Sequence, residues 1–301
     1  MSRPERRVGA ACPAKVNLDL RVLGRRPDGY HDIRTVFQAI DLSDTLTVEP
    51  ATDLSLTCDD PALPCDASNL VMRAARLLRD HGRVREGAAM SLSKRIPIAG
   101  GFGGGSSDAA GALLALSETW GLSLPLGDLE RLGAELGADV PFFLHGGTAE
   151  GEGRGDRISP LPFAGPIRLL LGIPPFGVSA ADAYTWADAH LTPVGKDVSV
   201  KRSTAGKLPL ENDFRWGVND LERGVFERWP GLLAFRDGLL REGARVALMS
   251  GSGSAVFGVF DDSGSLRRAA LSLAARNPGW RLLPARAVPD AARVVAAGGS
   301  S

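Results

Sequence analysis

"IPIAGGFGGGSSDAAGAL", residues 96–113, places five glycines in the six positions 100–105 and follows them with a run of small helix formers. Glycine loses more backbone freedom on folding than any other residue, so such a run is kept where φ must be positive or where a backbone must approach something closely. Ser106, Ser107 and Asp108, with Ala109 and Ala110 behind them, read as an N-cap and first helical turn. A glycine loop feeding a helix start is an anion site, because unpaired N–H groups and the positive end of the helix dipole converge there. "AAMSLSKRI" (88–96) reads as a strand running into the loop, so the glycines sit between two regular elements and are not a linker. A phosphate is the expected ligand.

Counting excludes two common phosphate loops. A dinucleotide fingerprint needs glycines at i, i+2 and i+5, but from Gly101 the third position is Ser106 and from Gly103 it is Asp108. A Walker A loop needs a lysine after its second glycine; Gly100 and Gly105 have the spacing, and Ser106 stands where that lysine belongs. Such a loop must take cationic help from a lysine distant in sequence or from Mg²⁺.

Strands are expected at 15–22, 35–42 and 44–50, the last two separated by turn residues Ser43 and Asp44. A helix is expected between an N-cap at Ser68 and a stop at Gly82, another from about Ser107 to Trp120, and a third over 126–136. The glycine- and proline-rich tract 145–166 marks the domain boundary, giving a first domain at 1–158 and a second at 159–301. Beyond it come a strand (167–173), a helix (179–191), a polar loop expected to be mobile (192–213) and helices over 218–228 and 231–242. A hairpin (244–260) whose tip is a second small-residue loop follows, then a helix (264–276), a strand (281–288) and a frayed tail (294–301). Strands come in runs and do not alternate with helices, which predicts an α+β fold in two domains.

The 301 residues carry 35 basic and 35 acidic side chains, a balance that argues against a dedicated nucleic-acid or membrane-surface binder. Cys12, Cys58 and Cys65 have no metal-ligand spacing and read as free thiols in a reducing cytoplasm, and the N-terminus lacks the apolar core of a signal peptide. No protein metal site is expected. His81, His145 and His190 are scattered and read as structural or surface residues.

"PIAGGFGGGSSDAA" (97–110) resembles the phosphate loop of the GHMP kinases. The resemblance extends from about Pro13 to Phe260, through "PAKVNLDLRVLGRRPDGYHDIRTVFQ" (13–38), "SNLVMRAA" (68–75), "GADVPFFLHGGTAEGEG" (137–153), "GVSAADAY" (177–184), "VNDLE" (218–222) and "MSGSGSAVF" (249–257). "DGYH" (28–31) and "GADVPFF" (137–143) are similar to one branch, which uses ATP to phosphorylate the 2-hydroxyl of 4-diphosphocytidyl-2-C-methyl-D-erythritol in the non-mevalonate isoprenoid pathway. The resemblance implies a ribosomal-protein-S5-like first domain and a ferredoxin-like second one. It also implies ATP and Mg²⁺ as cofactors, a small-molecule substrate, and a monomer or weak homodimer.

It further implies roles, residue by residue. Lys15, otherwise an ordinary strand lysine, becomes the active-site cation. Asp139, which its neighbour Pro141 would make a helix cap, becomes the general base. Pro97, Ile98, Ala99, Gly100, Gly101, Phe102, Gly103, Gly104, Gly105, Ser106 and Ser107 would hold ATP, with Asn69 at adenine. Asn17, Tyr30, His31 and Tyr184 would hold the substrate, the aromatic rings at its cytosine, with Trp186 as an alternative to Tyr184. Two stretches depart from the family pattern: Ser254 stands where proline or alanine is usual, and "GRGD" (153–156) replaces glycine-x-glycine-glutamate. The alternatives are another GHMP kinase, of homoserine or mevalonate type, or a related decarboxylase, and a nucleotide-binding regulator without catalysis.

Overall fold

The computed structural model describes residues 7–163, 165–190 and 217–296. Its organising element is β1 (Val8–Arg25), in which every even-numbered residue from Val8 to Val22 is buried, as the two-residue period of a strand requires. Val8, Ala10 and Cys12 enter one core, Ala14, Val16 and Leu18 a second, and Leu20 and Val22 a third. One strand thus runs through all three cores, and its odd face is left to carry Lys15 and Asn17. The strand is longer than the expected 15–22 because its first half alternates small residues (Ala10, Cys12, Ala14), which carry little apolar signal.

β2 (His31–Ala51) returns antiparallel to β1. It is one strand where two were expected: Ser43 and Asp44 sit at a register shift, opposite Pro13 and Cys12, and not in a turn. β3 (Leu54–Cys58), α1 (Leu70–Gly82), β4 (Gly87–Ser93), α2 (Gly104–Trp120), α3 (Leu126–Leu136), α4 (Val140–His145), β5 (Thr148–Gly153) and β6 (Arg157–Leu161) follow. The first sheet has the order β11 (Arg293–Ala296)-β1-β2-β4-β3, with the β5–β6 hairpin on the other half of β2. α1 to α4 cover it around Phe37, Phe142 and Phe143; truncating one of these rings to alanine would cost ~3–5 kcal/mol.

The second sheet has the order β10-β7-β9-β8, formed by β7 (Arg168–Ile173), β8 (Val246–Met249), β9 (Val256–Phe260) and β10 (Arg281–Arg286), all antiparallel. Leu169, Leu171 and Ile173 face the inter-sheet core, while Leu170 faces the outer core. That outer core is covered by α5 (Ala180–Asp188), α6 (Glu222–Arg228), α7 (Pro230–Arg241) and α8 (Ser263–Arg276).

β11 (Arg293–Ala296) pairs with β1, so residues expected to fray close the edge of the first sheet. The tract 145–166 contains β5 and β6, and a boundary after residue 158 falls inside β6. The expected polar loop at 192–213 lies outside the described residues, as do positions 297–301.

Candidate active site

A cleft of about 690 Å³ opens where β1, the glycine loop, the start of α4, α5 and the β8–β9 turn converge. Lys15 is at its centre, only 3% exposed. Its Nζ donates to Asn17 Oδ1 and to the Gly101 carbonyl, both at 2.8 Å, and lies 3.5 Å from Asp139 Oδ2. Lys15 and Asn17, two apart on one strand, share a face. Burial pulls the lysine below its ordinary pKa, and the Asp139 carboxylate opposes that pull. Asn17 is itself held, donating to Thr35 Oγ1 at 2.7 Å; its oxygen and one N–H orient Lys15 and join it to β2. Asp139 occupies the N-cap position of α4 but its side chain makes no capping bond. The carboxylate is therefore free to face the cleft.

The glycine loop ends at Gly103, whose φ of 70° is left-handed, and α2 begins at Gly104, two residues before the expected cap at Ser106. No side chain caps this helix, so the N–H groups of Gly104, Gly105 and Ser106 have no helical acceptor. Ser107 departs from the expected role: its N–H donates to the Gly103 carbonyl and its hydroxyl to the Pro13 carbonyl, both internal bonds. Phe102 points into the inter-sheet core while its carbonyl accepts from Lys15 N. Pro97 to Gly100 form the outer arm, with Ile98 exposed. Asn69 caps α1 in place of the expected Ser68, accepting from Val71 N and donating to the Pro64 carbonyl. α1 nevertheless adjoins the loop, because a Cβ on Gly105 would sit 3.4 Å from Leu70.

The second glycine turn, 250–253, closes over the first. Ser250 Oγ donates to the same Gly101 carbonyl that binds Lys15, and a Cβ on Gly101 would overlap the Ser250 carbonyl. A Cβ on Gly251 would stand 3.1 Å from Lys15 Nζ. Asn219 holds this turn, donating to the Met249 and Gly251 carbonyls at 2.9 and 2.7 Å. Ser254 is buried and donates to the Phe176 carbonyl, so it serves the framework and not the cleft.

At the far end His31 stacks on Tyr184, with ring centroids 4.9 Å apart, and its Nε2 lies 2.6 Å from Asp188 Oδ1. Burial, with the Asp139 charge nearby, raises the Tyr184 phenol above its ordinary pKa, so it remains neutral. Tyr30 is 57% exposed, and the Arg154 guanidinium lies over its ring at 5.2 Å. Trp186 is removed from the cleft: it packs on α6, under Arg228 and against Gly224. The sequence reading missed Asp188 and Arg154. Asp188 was within reach of a spacing argument, since it lies one helical turn beyond Tyr184.

Beneath the loop lies a buried charge cluster. Lys94 Nζ bonds Asp44 Oδ2 and, at 2.7 Å, Asp108 Oδ2, while Asp44 Oδ1 accepts from Arg95 N and Ile96 N. Burial pushes the Asp108 carboxyl up to about 7 despite Lys94, and its Oδ1 has no partner among the described residues. The cluster ties the end of β4 to the first turns of α2, fixing both ends of the glycine loop.

An uncapped helix start, a buried lysine and a carboxylate around one cleft define a kinase class. Sequence patterns described as "GHMP kinases N terminal domain" and "GHMP kinases C terminal" match residues 69–147 and 208–279. The 4-diphosphocytidyl-2-C-methyl-D-erythritol kinase of Salinibacter ruber is 43% identical, covering 91% of this chain and 97% of its own. That of Deinococcus radiodurans is also 43% identical, covering 89% of each chain. A crystal structure of 4-(cytidine 5'-diphospho)-2C-methyl-D-erythritol kinase matches with a TM-score of 0.73 at 36% identity, over 92% of this chain and 98% of that one. Homoserine kinase from Cytophaga hutchinsonii shares the fold, with a TM-score of 0.72 at 18% identity over 98% of this chain and 99% of its own. The chain belongs to the GHMP kinases, in the family of the 4-diphosphocytidyl-2-C-methyl-D-erythritol kinases.

Proposed function

We propose that the chain transfers the γ-phosphoryl group of ATP to the 2-hydroxyl of 4-diphosphocytidyl-2-C-methyl-D-erythritol. The observation that carries this reading is the Lys15–Asp139 pair, 3.5 Å apart, with an uncapped helix start on one side and an aromatic pocket on the other. In this reading Asp139 takes the hydroxyl proton as the new O–P bond forms and the bond to the ADP oxygen breaks. The accepting hydroxyl is tertiary and crowded, so holding it in line matters as much as removing its proton. Lys15 offsets charge on the oxygens in flight, and its rigid bonds to Asn17 and Gly101 leave it little to reorganise. His31, Tyr184 and Tyr30 take the cytosine end, where stacking contributes ~1–3 kcal/mol.

Among the described residues no group of three or more His, Cys, Asp or Glu could hold a metal ion alone. A phosphate-borne Mg²⁺ needs only one or two protein carboxylates, which the donors here fit. Asp139 and the Ser106 hydroxyl would reach such an ion, whose chemistry is to neutralise phosphate charge. No nucleic acid or membrane enters this reading.

The test is phosphorus NMR of the purified chain with ATP, Mg²⁺ and the cytidylyl substrate. A new phosphomonoester appearing in step with ADP is expected. Turnover of homoserine or mevalonate with none of the cytidylyl substrate would overturn the reading.

A further inference from the structure

The turn between β5 and β6 carries the "GRGD" departure, and its geometry aims Arg154 into the cleft. Gly153 and Gly155 flank it with φ of 69° and 95°, backbone positions that glycine adopts freely. The arginine's Nε and Nη2 both donate to Asp156 Oδ2, at 3.0 and 2.7 Å, and Nη2 also reaches the Ala134 carbonyl at 3.4 Å. Nη1 has no acceptor among the described residues. The guanidinium plane is therefore fixed by one edge, lies over Tyr30, and presents its other edge to the cleft.

Charges along the cleft are otherwise committed. Asp139 faces Lys15, and Asp188 faces His31. Arg25, the other cation lining this end, has no acidic partner among the described residues. Arg154 is paired with Asp156 through Nε and Nη2, so what stays open between the aromatic pocket and the reacting pair is its Nη1 edge and Arg25, both cationic. A substrate whose base stacks at one end and whose hydroxyl reacts at the other must carry its diphosphate between them.

We infer that Arg154 is a further substrate-binding residue, which donates through Nη1 to the diphosphate of the cytidylyl substrate. The inference rests on the function proposed above and adds the residue that separates a cytidine diphosphate from a bare cytidine. A guanidinium matches the geometry of phosphate oxygens and is held ready here without loss of rotamer freedom on binding.

The experiment compares CDP and cytidine as competitive inhibitors of the wild type, Arg154→Ala and Arg154→Lys, with thermal midpoints and the KM for ATP measured alongside. Arg154→Ala should weaken CDP by about tenfold or more while cytidine changes less than about twofold and the KM for ATP stays put. Arg154→Lys, which keeps the charge and loses the fork, should recover part of the CDP affinity; it also serves if the alanine variant fails to fold. Equal losses for CDP and cytidine would overturn the inference, showing that Arg154 acts only by supporting Tyr30. Unchanged CDP binding would overturn it too, reducing the arginine to a partner of Asp156. Failure of the wild type to bind either compound would strike the cytidylyl reading itself, before any variant is made.

Discussion

The Lys15 ammonium stands 3.5 Å from the Asp139 carboxylate, yet the lysine side chain is closed from solvent while the aspartate side chain is one-third open. Asp139 can therefore meet an incoming hydroxyl, whereas Lys15 reaches the cleft only through its charge and its tip. Asp139→Asn keeps the size of the side chain and removes the base. Turnover should fall by ~10²-fold or more with ATP binding retained, and a near-normal rate would end the general-base assignment.

Lys15→Met should lower turnover comparably, and it should also lower the thermal midpoint. It leaves Asn17 Oδ1 without its donor in a buried site, while the Gly101 carbonyl keeps the Ser250 hydroxyl, a loss of ~1–3 kcal/mol for the unsatisfied group. Rates should be compared well below the unfolding range. The double variant should lose much less than the product of the single losses, since residues that act together are not additive; a fully multiplicative loss would mean independent roles.

Two glycines of the same loop should respond oppositely to a methyl group. A Cβ on Gly103 would meet the Phe143 ring at 2.8 Å in a left-handed conformation, so Gly103→Ala should destabilise the fold. A Cβ on Gly105 meets only Leu70, at an ordinary 3.4 Å. Gly105→Ala should fold normally and raise the KM for ATP severalfold, since the proposed reading sets the phosphates against the N–H groups of this first turn. Thermal melts paired with ATP kinetics decide it, and unchanged ATP kinetics in Gly105→Ala would remove the helix start from the phosphate site.

Asp108 predicts a pH dependence of stability. Burial raises its carboxyl to about 7, well above an unfolded value of ~4. A raised pKa means that the folded state favours the protonated form, so the contribution is full below the unfolded value and is lost as pH climbs through 7. Asp108→Asn cannot ionise there. Its stability relative to wild type should therefore improve between about pH 4 and 7, by at most ~1.4 kcal/mol per pH unit, and level off above. Denaturant melts across that range check the sign, and a constant difference would place the titration elsewhere.

Asn219→Ala should loosen the turn that covers Lys15, since it deletes the donors to Met249 and Gly251. Both turnover and stability should drop, with cytidine affinity spared. Normal turnover would mean that the turn holds its place through Ser250 alone.

The glycine loop had a local mark in its glycine density, whereas Lys15 and Asp139 read locally as a strand lysine and a helix cap and were singled out through the family resemblance. The sequence carried less where one side chain answers to two structures. Asn69, Ser107 and Asn17 looked like ligands, but each spends its polar atoms on a helix cap, the Pro13 carbonyl or Lys15 itself. Asp188 and Arg154 were silent because a charged residue in a helix or turn normally belongs to solvent, and only tertiary placement brings them to the cleft. The sheet edges were misread for a related reason. Alternating small residues in β1, and a short valine pair near the end of β11, give little periodicity until a partner strand is beside them.

The pairing of β11 with β1 sets a schedule for the chain as it is made. β1, which bears Lys15, leaves the ribosome well before the strand that pairs with its outer edge. At translation speeds of ~5–20 residues per second the interval is roughly 15–50 s. Throughout it the nascent protein presents an unpaired row of backbone donors and acceptors, open to any other extended chain nearby. The stretch Val8–Ala11 of β1 is thus open to aggregation during synthesis and is covered once residues 293–296 arrive.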